Sequence, residues 1–172
     1  MNTLAELEQM IALTPDFPKE GVVFRDISPL LSQRFNDVID VFSNVFTVSE
    51  IKHVDAFAGI DARGFIFAAA LAARHGKNML MIRKGGKLPP PSLQASYSLE
   101  YGSSVLELKP GAGGKVIVLD DVLATGGTLA AGADLCAKAG YEVMALAALL
   151  DLRFLNDFSW NGMRARSVWA YT

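Results

Sequence analysis

The sequence has one cysteine, two histidines, no run of like charge and no apolar stretch of membrane length. Each absence excludes something. A lone Cys136 cannot close an internal disulfide, which fits a reducing compartment, and on a segment with helical character it reads as filler in core or surface. Sixteen Lys and Arg against eighteen Asp and Glu leave a net charge of -2, so there is no global basic field for nucleic acid and any basic patch has to be local. The longest apolar stretches, near Ala68 to Ala73 and Met144 to Leu150, are far too short to span a bilayer, and the opening "MNTLAELEQMIAL" carries acids but no basic leader region. A soluble, untargeted, cytoplasmic chain with no membrane or nucleic-acid partner is therefore expected. No internal repeat or low-complexity tract is present. No group of His, Cys, Asp and Glu has metal-ligand spacing, so no metal site made by a protein cluster is expected, and His53 and His75 read as surface or helix-end residues. What is abundant is apolar: 51% of 172 residues, ample for one sizeable core and short for two, so a single domain over 1–172 is expected.

The pattern along the chain supplies an architecture. Leu4, Leu7 and Ile11 recur at helical spacing up to Thr14 and Pro15, and Phe35, Val38, Phe42 and Val45 do so again. Between them "PDFPKEGVVFRDISP" reads as irregular, with one short extended piece. From Val54 the period changes. "VDAFAGI" reads as a strand, "DARG" as a loop, "FIFAAALAARHG" as a helix closed by Gly76, and "NMLMI" as the next strand. A second such unit follows: Val116 to Leu119 as strand, a glycine loop, a helix from about Gly127 to Ala139 closed by Gly140, and "EVMALAALL" as strand. "GAGGK" at 111–115 precedes a strand and reads as a turn. Alternation of this kind predicts an α/β fold with a parallel-core twisted sheet, helices on both faces, and ligands at the carboxyl ends of the strands. The one long connection, Lys84 to Tyr101, has the length of a lid or binding loop.

At that edge stands "VIVLDDVLATGGT". Glycines allow close backbone approach, and the start of the following helix offers unpaired N–H groups, so the loop suits a phosphate. Asp120 and Asp121 beside it would repel a bare phosphate, so the ligand has to bring hydroxyls or a cation to their side. A phosphorylated sugar meets both demands. Acids and glycines are also common in ordinary strand-to-helix turns and helix caps, which is the plain alternative. No Lys follows the glycines, which excludes a Walker loop, and the dinucleotide fingerprint is absent too.

"VIVLDDVLATGGT" resembles the phosphoribosyl pyrophosphate (PRPP) signature of type I phosphoribosyltransferases, and four more stretches narrow the likeness to the adenine phosphoribosyltransferase family. These are "PDFPKEGVVFRDISPLL", "GIDARGF", "IRKGGKLP" and "ASYSLEYG", in the family's order and covering the chain from Pro15 to about Leu150. The chain departs from the family pattern at Gly85, at Ala62 and in the tail after Leu150. The resemblance implies a reaction in which adenine and PRPP give AMP and pyrophosphate, in purine salvage. It also implies a homodimer and a base-binding hood formed by residues 1–33.

Residue by residue, Ala124, Thr125, Gly126, Gly127 and Thr128 would cradle the 5′-phosphate, and Asp120 and Asp121 would accept hydrogen bonds from the ribose hydroxyls. Arg63, Arg83, Lys84 and Lys87 would hold the pyrophosphate, with Tyr101 of "SLEYG" also on the donor; for Lys84 and Lys87 a solvated loop is the plain alternative. Magnesium would enter with PRPP, held mainly by donor oxygens and water. Phe24 offers adenine a stacking face, the backbone of Val23 and Arg25 can meet its edge, and Leu123 could close the other side; a merely structural Phe24 is the alternative. Glu100 reads as a solvated loop acid by itself, and the resemblance makes it the catalytic carboxylate. The related 6-oxopurine enzymes usually carry a Lys shortly after the strand that follows the phosphate-loop helix, whereas no Lys occurs here after Lys138, which favours adenine. Two rivals remain: a transferase for another purine, and a non-catalytic PRPP sensor, for which the length leaves no separate nucleic-acid module. The likeness further implies a cis Asp61–Ala62 peptide, and a lid over 84–101 that carries Glu100 and Lys87 to the ligands.

Overall fold

The computed structural model describes residues 3–98 and 102–172, so Glu100 and Tyr101 lie outside the described residues. The chain forms two compact units, Met1–Asn44 and Val45–Thr172.

In the first unit, helix α1 (Leu4–Glu8) opens on a reciprocal cap in which Thr3 and Glu6 satisfy each other's backbone N–H groups. The helix is shorter than the apolar spacing predicts. Residues Ala12–Thr14 leave it to form strand β1, paired antiparallel with β2 (Phe24–Asp26), yet Ile11 keeps its buried place in the turn between. The expected extended piece is thus β2, and it has a partner. Helix α2 (Ser28–Ser43) begins a full two turns before Phe35, with Pro29 in its first turn, and is interrupted at Arg34, whose φ and ψ are -137° and 33°. Its apolar face buries Leu30, Val38, Ile39 and Phe42, and α1 lies against it.

The second unit opens on α3 (Val48–His53), a helix without apolar periodicity that is held by a second reciprocal cap, Thr47 with Glu50. A seven-stranded sheet follows, built from β3 (Ala56–Ile60), β4 (Asn78–Lys84), β5 (Leu93–Ser98), β6 (Ser103–Leu108), β7 (Gly114–Leu123), β8 (Tyr141–Leu152) and β9 (Arg166–Tyr171). Their spatial order is β5-β6-β4-β3-β7-β8-β9. The strands from β4 to β9 in that order pair in parallel, and β6 and β5 add an antiparallel edge. The connection after Lys84 is therefore not a plain loop, since its second half is the strand β5, zipped to β6 from Leu93↔Leu108 to Ser98↔Ser103. The alternation of apolar and polar residues in "LQASYS" carries the period of a half-buried strand, a signal that the reading of 84–101 as one long connection passed over.

Helices α4 (Gly64–His75) and α5 (Gly127–Lys138) cover opposite faces. Successive strand residues point to opposite sides, and a Cβ at Gly59 would meet Gly64 and Ala68 of α4, whereas the next residue, Ile60, touches Gly132 of α5. Alanines, β-branched residues and leucines fill the α5 side, including Ala58, Ile60, Ile82, Val118, Leu135 and Cys136. Burial pushes the Cys136 thiol up to about 12, so it is core filler and not a nucleophile. Both expected helix ends hold: Gly76 caps α4 at φ 61°, and Gly140 follows α5 at φ 91°. Among the described residues no helix is long and apolar enough to cross a membrane.

Candidate active site

Two strand-to-helix junctions meet at the carboxyl edge of the central strands. At the first, β3 ends at Ile60 and α4 begins only four residues later. Gly64 makes that possible. A Cβ there would sit 2.8 Å from Leu119 O and 3.4 Å from the Asp120 Cα, so the first turn of α4 lies directly on β7. The close approach carries Arg63 to Asp121, where its Nε donates to the carboxylate. The Asp61–Ala62 peptide is cis, as the resemblance implied. Asp61 accepts from Arg83 Nε at 3.0 Å and from the backbone N–H of Lys84 at 3.3 Å, which ties the junction to the end of β4.

At the second junction the acids do not follow the strand, as the run Val116 to Leu119 suggested. They lie inside it: β7 continues through Asp120 and Asp121 to Leu123 because β8 runs on beside it, pairing Asp120 with Ala148 and Leu123 with Asp151. The ladder fixes their alternation, so Asp121 is buried and Asp120 is partly exposed. Asp120 Oδ1 accepts the Asp121 N–H at 2.8 Å. Burial, and next the neighbouring Asp121 charge, hold the Asp120 carboxyl well above the ordinary carboxylate range, opposed by Arg63. The acid pair is therefore poised to gain from a ligand that brings hydroxyl donors or positive charge. Beyond it, α5 starts on Gly126 at φ 94° with no side chain capping it, so the first-turn N–H groups of the helix take no side-chain cap.

One cavity of about 240 Å³ collects these parts. Its walls are Asp61, Ala62, Arg63, Lys84, Tyr97, Asp120, Asp121 and Thr128. Of the predicted donor-binding residues, Arg63, Lys84, Asp120, Asp121 and Thr128 line it, and Ala124, Thr125, Gly126 and Gly127 form the adjoining loop. Arg83 and Lys87 are not on its wall. Arg83 turns to Asp61, and its guanidinium lies 5.8 Å from the Phe65 ring centroid. Lys87 is exposed, and its backbone N–H, with that of Leu88, is held by the buried Glu107 at 3.1 and 3.2 Å. Hydrogen bonds, led by the one from Gly86, keep Glu107 below the usual carboxylate range. Tyr97 was missed by the sequence reading; its signal was the alternation in "ASYS", which sets it on the same strand face as buried Ala95.

The proposed adenine residues divide between the two units. In the first, β2 is one strand of a two-stranded sheet. Phe24 is half-buried and meets Phe17 edge-on, with centroids 5.2 Å apart, so it is not simply core. Arg25 folds back so that Nη1 reaches Val23 O at 3.4 Å. In the second unit Leu123 is 3% exposed and packs in the core, while bordering a separate cavity of about 450 Å³ with Asp151, Arg153 and Asn156. Among the described residues no three His, Cys, Asp or Glu side chains converge as metal ligands.

Comparison with known proteins agrees with this geometry. The phosphoribosyl transferase domain model matches residues 30–153. The adenine phosphoribosyltransferase of Bdellovibrio bacteriovorus is 51% identical over 166 residues, covering 96% of this chain and 99% of that one. The chain belongs to the adenine phosphoribosyltransferase family. Among solved structures of the family, the Thermoanaerobacter pseudethanolicus enzyme aligns with a TM-score of 0.87 at 36% identity, covering 98% of this chain and 100% of its own. The Saccharomyces cerevisiae enzyme, complexed with an imino-altritol bisphosphate and adenine, aligns with a TM-score of 0.87 at 30% identity, covering 96% and 97%. The family model spans both junctions, and the full-length likeness extends through the tail, where the sequence motifs had stopped.

Proposed function

We propose that this family member transfers the phosphoribosyl group of PRPP to N9 of adenine, giving AMP and pyrophosphate. One observation carries the reading: an acid pair, a cation and a glycine-started helix share a single cavity at the sheet edge. In this reading the loop Ala124 to Thr128 holds the 5′-phosphate, because uncapped N–H groups and two hydroxyls face an anion there. Asp120 and Asp121 take the ribose hydroxyls and favour the positive charge that develops at C1′. Arg63 and Lys84 hold the pyrophosphate, with Arg83 and Lys87 acting from beside them. Arg63 has to release Asp121 to do so, an exchange of one anion for another.

As the N9–C1′ bond forms, the C1′–oxygen bond breaks and its electron pair leaves on pyrophosphate. The N9 proton leaves as the ring becomes neutral, and by resemblance Glu100 manages it, with Tyr101 on the donor. Adenine is assigned to Val23, Phe24, Arg25 and Leu123 on the same grounds, with residues 1–33 as the hood. A magnesium ion fits this site as a passenger of the donor, since Asp120 and Asp121 can accept from its waters but no protein cage exists among the described residues. Bound there it would neutralise pyrophosphate charge. The likeness also supports a homodimer and a cytoplasmic enzyme. Adenine, hypoxanthine and guanine, each incubated with PRPP and magnesium, test the reading. Nucleotide formation from adenine alone supports it, and preference for a 6-oxopurine overturns it.

A further inference from the structure

The tail after Leu150 makes a set of side-chain contacts to the glycine loop Ala124 to Thr128. Asn156 follows the short 3-10 turn Arg153–Leu155. Its amide Nδ2 donates to Ala124 O at 2.8 Å, across 32 residues, and also reaches Leu152 O at 2.9 Å and Asp151 Oδ1 at 3.2 Å. Its Oδ1 accepts the Phe158 N–H at 3.1 Å. With three acceptors sharing the two hydrogens of Nδ2 and an N–H at Oδ1, only one orientation of the amide matches donors to acceptors. The Asp151 carboxylate is itself buried and paired with Arg153 Nε at 3.1 Å.

Two residues on, Phe158 lies on the loop from the side. Any Cβ at Gly126 would run into its ring, so the left-handed residue that starts α5 is seated on an aromatic face. Trp160 then fastens the tail to the helix through Nε1 to Asp134 Oδ1 at 2.8 Å, and a bridge between Trp160 and Met163 turns the chain back. The segment therefore crosses the strand end, the loop and α5 in succession.

We propose that Asn156 and Phe158 are positioning residues for the reaction, a strap that holds Ala124 and Gly126 so that the loop N–H groups are aligned before the 5′-phosphate arrives. The physical need is plain. A glycine at the anchor of an anion loop has many conformations, and ordering the loop only at binding costs conformational entropy that weakens the hold on phosphate. Asn156 holds the carbonyl that precedes the glycines, and Phe158 blocks the space into which Gly126 could relax. The strap acts through the loop, by way of Ala124 and Gly126. The inference rests on the 5′-phosphate role assigned above, and it adds a specific duty for the tail.

Asn156→Ala and the volume-conserving Asn156→Asp, which lacks the donor, are compared with wild type in steady-state kinetics and in calorimetric titration with ribose 5-phosphate. The expected result is a rise in KM for PRPP of about tenfold, the size of one lost hydrogen bond, with the KM for adenine and kcat within about twofold. Ribose 5-phosphate should weaken by the same factor. Phe158→Leu, which keeps an apolar side chain, is expected to shift the same two quantities by about threefold and so remains informative should the Asn156 variants fold poorly. Unchanged donor KM and ribose 5-phosphate affinity in folded variants, or an equal loss for both substrates, would overturn the strap. A wild type that binds ribose 5-phosphate but makes no AMP, with weaker binding in Asn156→Ala, would instead support the strap while removing the assigned reaction.

Discussion

The junction after β3 and the junction after β7 occupy neighbouring places on one sheet edge, and they solve opposite problems. The first is short and tight. Gly64 lets α4 rest on the backbone of β7, so the chain can turn at once and present side chains, Asp61 and Arg63, to the cavity. The second, from Ala124 to Gly126, has the same length but leaves the first-turn N–H groups of α5 without a side-chain cap, with Gly126 left-handed. Gly64 serves packing alone, whereas Gly126 lies against the Phe158 ring and also supplies the left-handed residue that opens α5. The same residue type at neighbouring junctions thus answers to different physics: close approach to a strand backbone at the first, a positive φ at the start of a helix at the second.

The sharpest way to break the comparison is to remove the acids that the two junctions share. Asp120→Asn with Asp121→Asn is expected to lower kcat/KM for PRPP by at least about a hundredfold while circular dichroism stays native, because both carboxylates face the cavity. An unfolded double variant would make them structural instead. Next in size are the glycines that open the two helices, Gly64 and Gly127. Gly64→Ala places a methyl 2.8 Å from Leu119 O and is expected to cost about 2 kcal/mol in urea unfolding. At Gly127 the same methyl would lie 3.4 Å from Ser98 O, an ordinary contact. Gly127→Ala is therefore expected to leave stability within about 0.5 kcal/mol but to raise the donor KM several-fold, since the methyl lies against Tyr97 on the wall of the proposed donor cavity. Equal stability losses at both would erase the distinction.

A pair outside both junctions calibrates these numbers. Glu50 meets Arg166 on β9 through both carboxylate oxygens, at 2.6 and 2.7 Å, and this pairing draws its pKa from 4.5 to about 2. The depressed value means that the stabilisation is full above the ordinary Glu range and is lost as pH falls through about 2. Glu50→Gln is expected to cost about 1 kcal/mol at neutral pH, discounted because Arg166 is partly in water, with the difference closing in acid. The smallest effect has the opposite sign. Asp120 has a raised value in the folded protein, so its ionisation destabilises the fold as pH rises from the ordinary carboxylate range through that raised value. Asp120→Asn removes this cost, and thermal melts are expected to show a variant slightly more stable than wild type at neutral pH though not in acid. A variant less stable at every pH would show that the acid stabilises the fold.

Much of the fold could be read along the chain because it is written in local pattern. The strand Ala56–Ile60, the helix closed by Gly76, the helix closed near Gly140 and the strand through Leu150 all follow from apolar runs, period and glycine stops. Where local pattern was weak the reading failed. α3 has no buried residue and is specified by its Thr47–Glu50 cap alone. Among site residues, the acid pair and the glycine loop were legible because their chemistry is contiguous. Tyr97, Asn156 and Phe158 were not, since each acquires its place from partners about thirty residues away in the chain.

By itself the sequence determined the alternation of strands and helices, the acid pair, the glycine loop and the family to which they belong, since each depends on residues close together in the chain. The tertiary structure decided that the acids sit within β7 and not after it, because β8 runs beside them and extends the ladder. It also decided that Arg63 meets Asp121 and that the tail reaches Ala124. Such contacts depend on how strands are ordered across the sheet and how closely a helix can approach a neighbouring backbone, and no spacing along the chain encodes either.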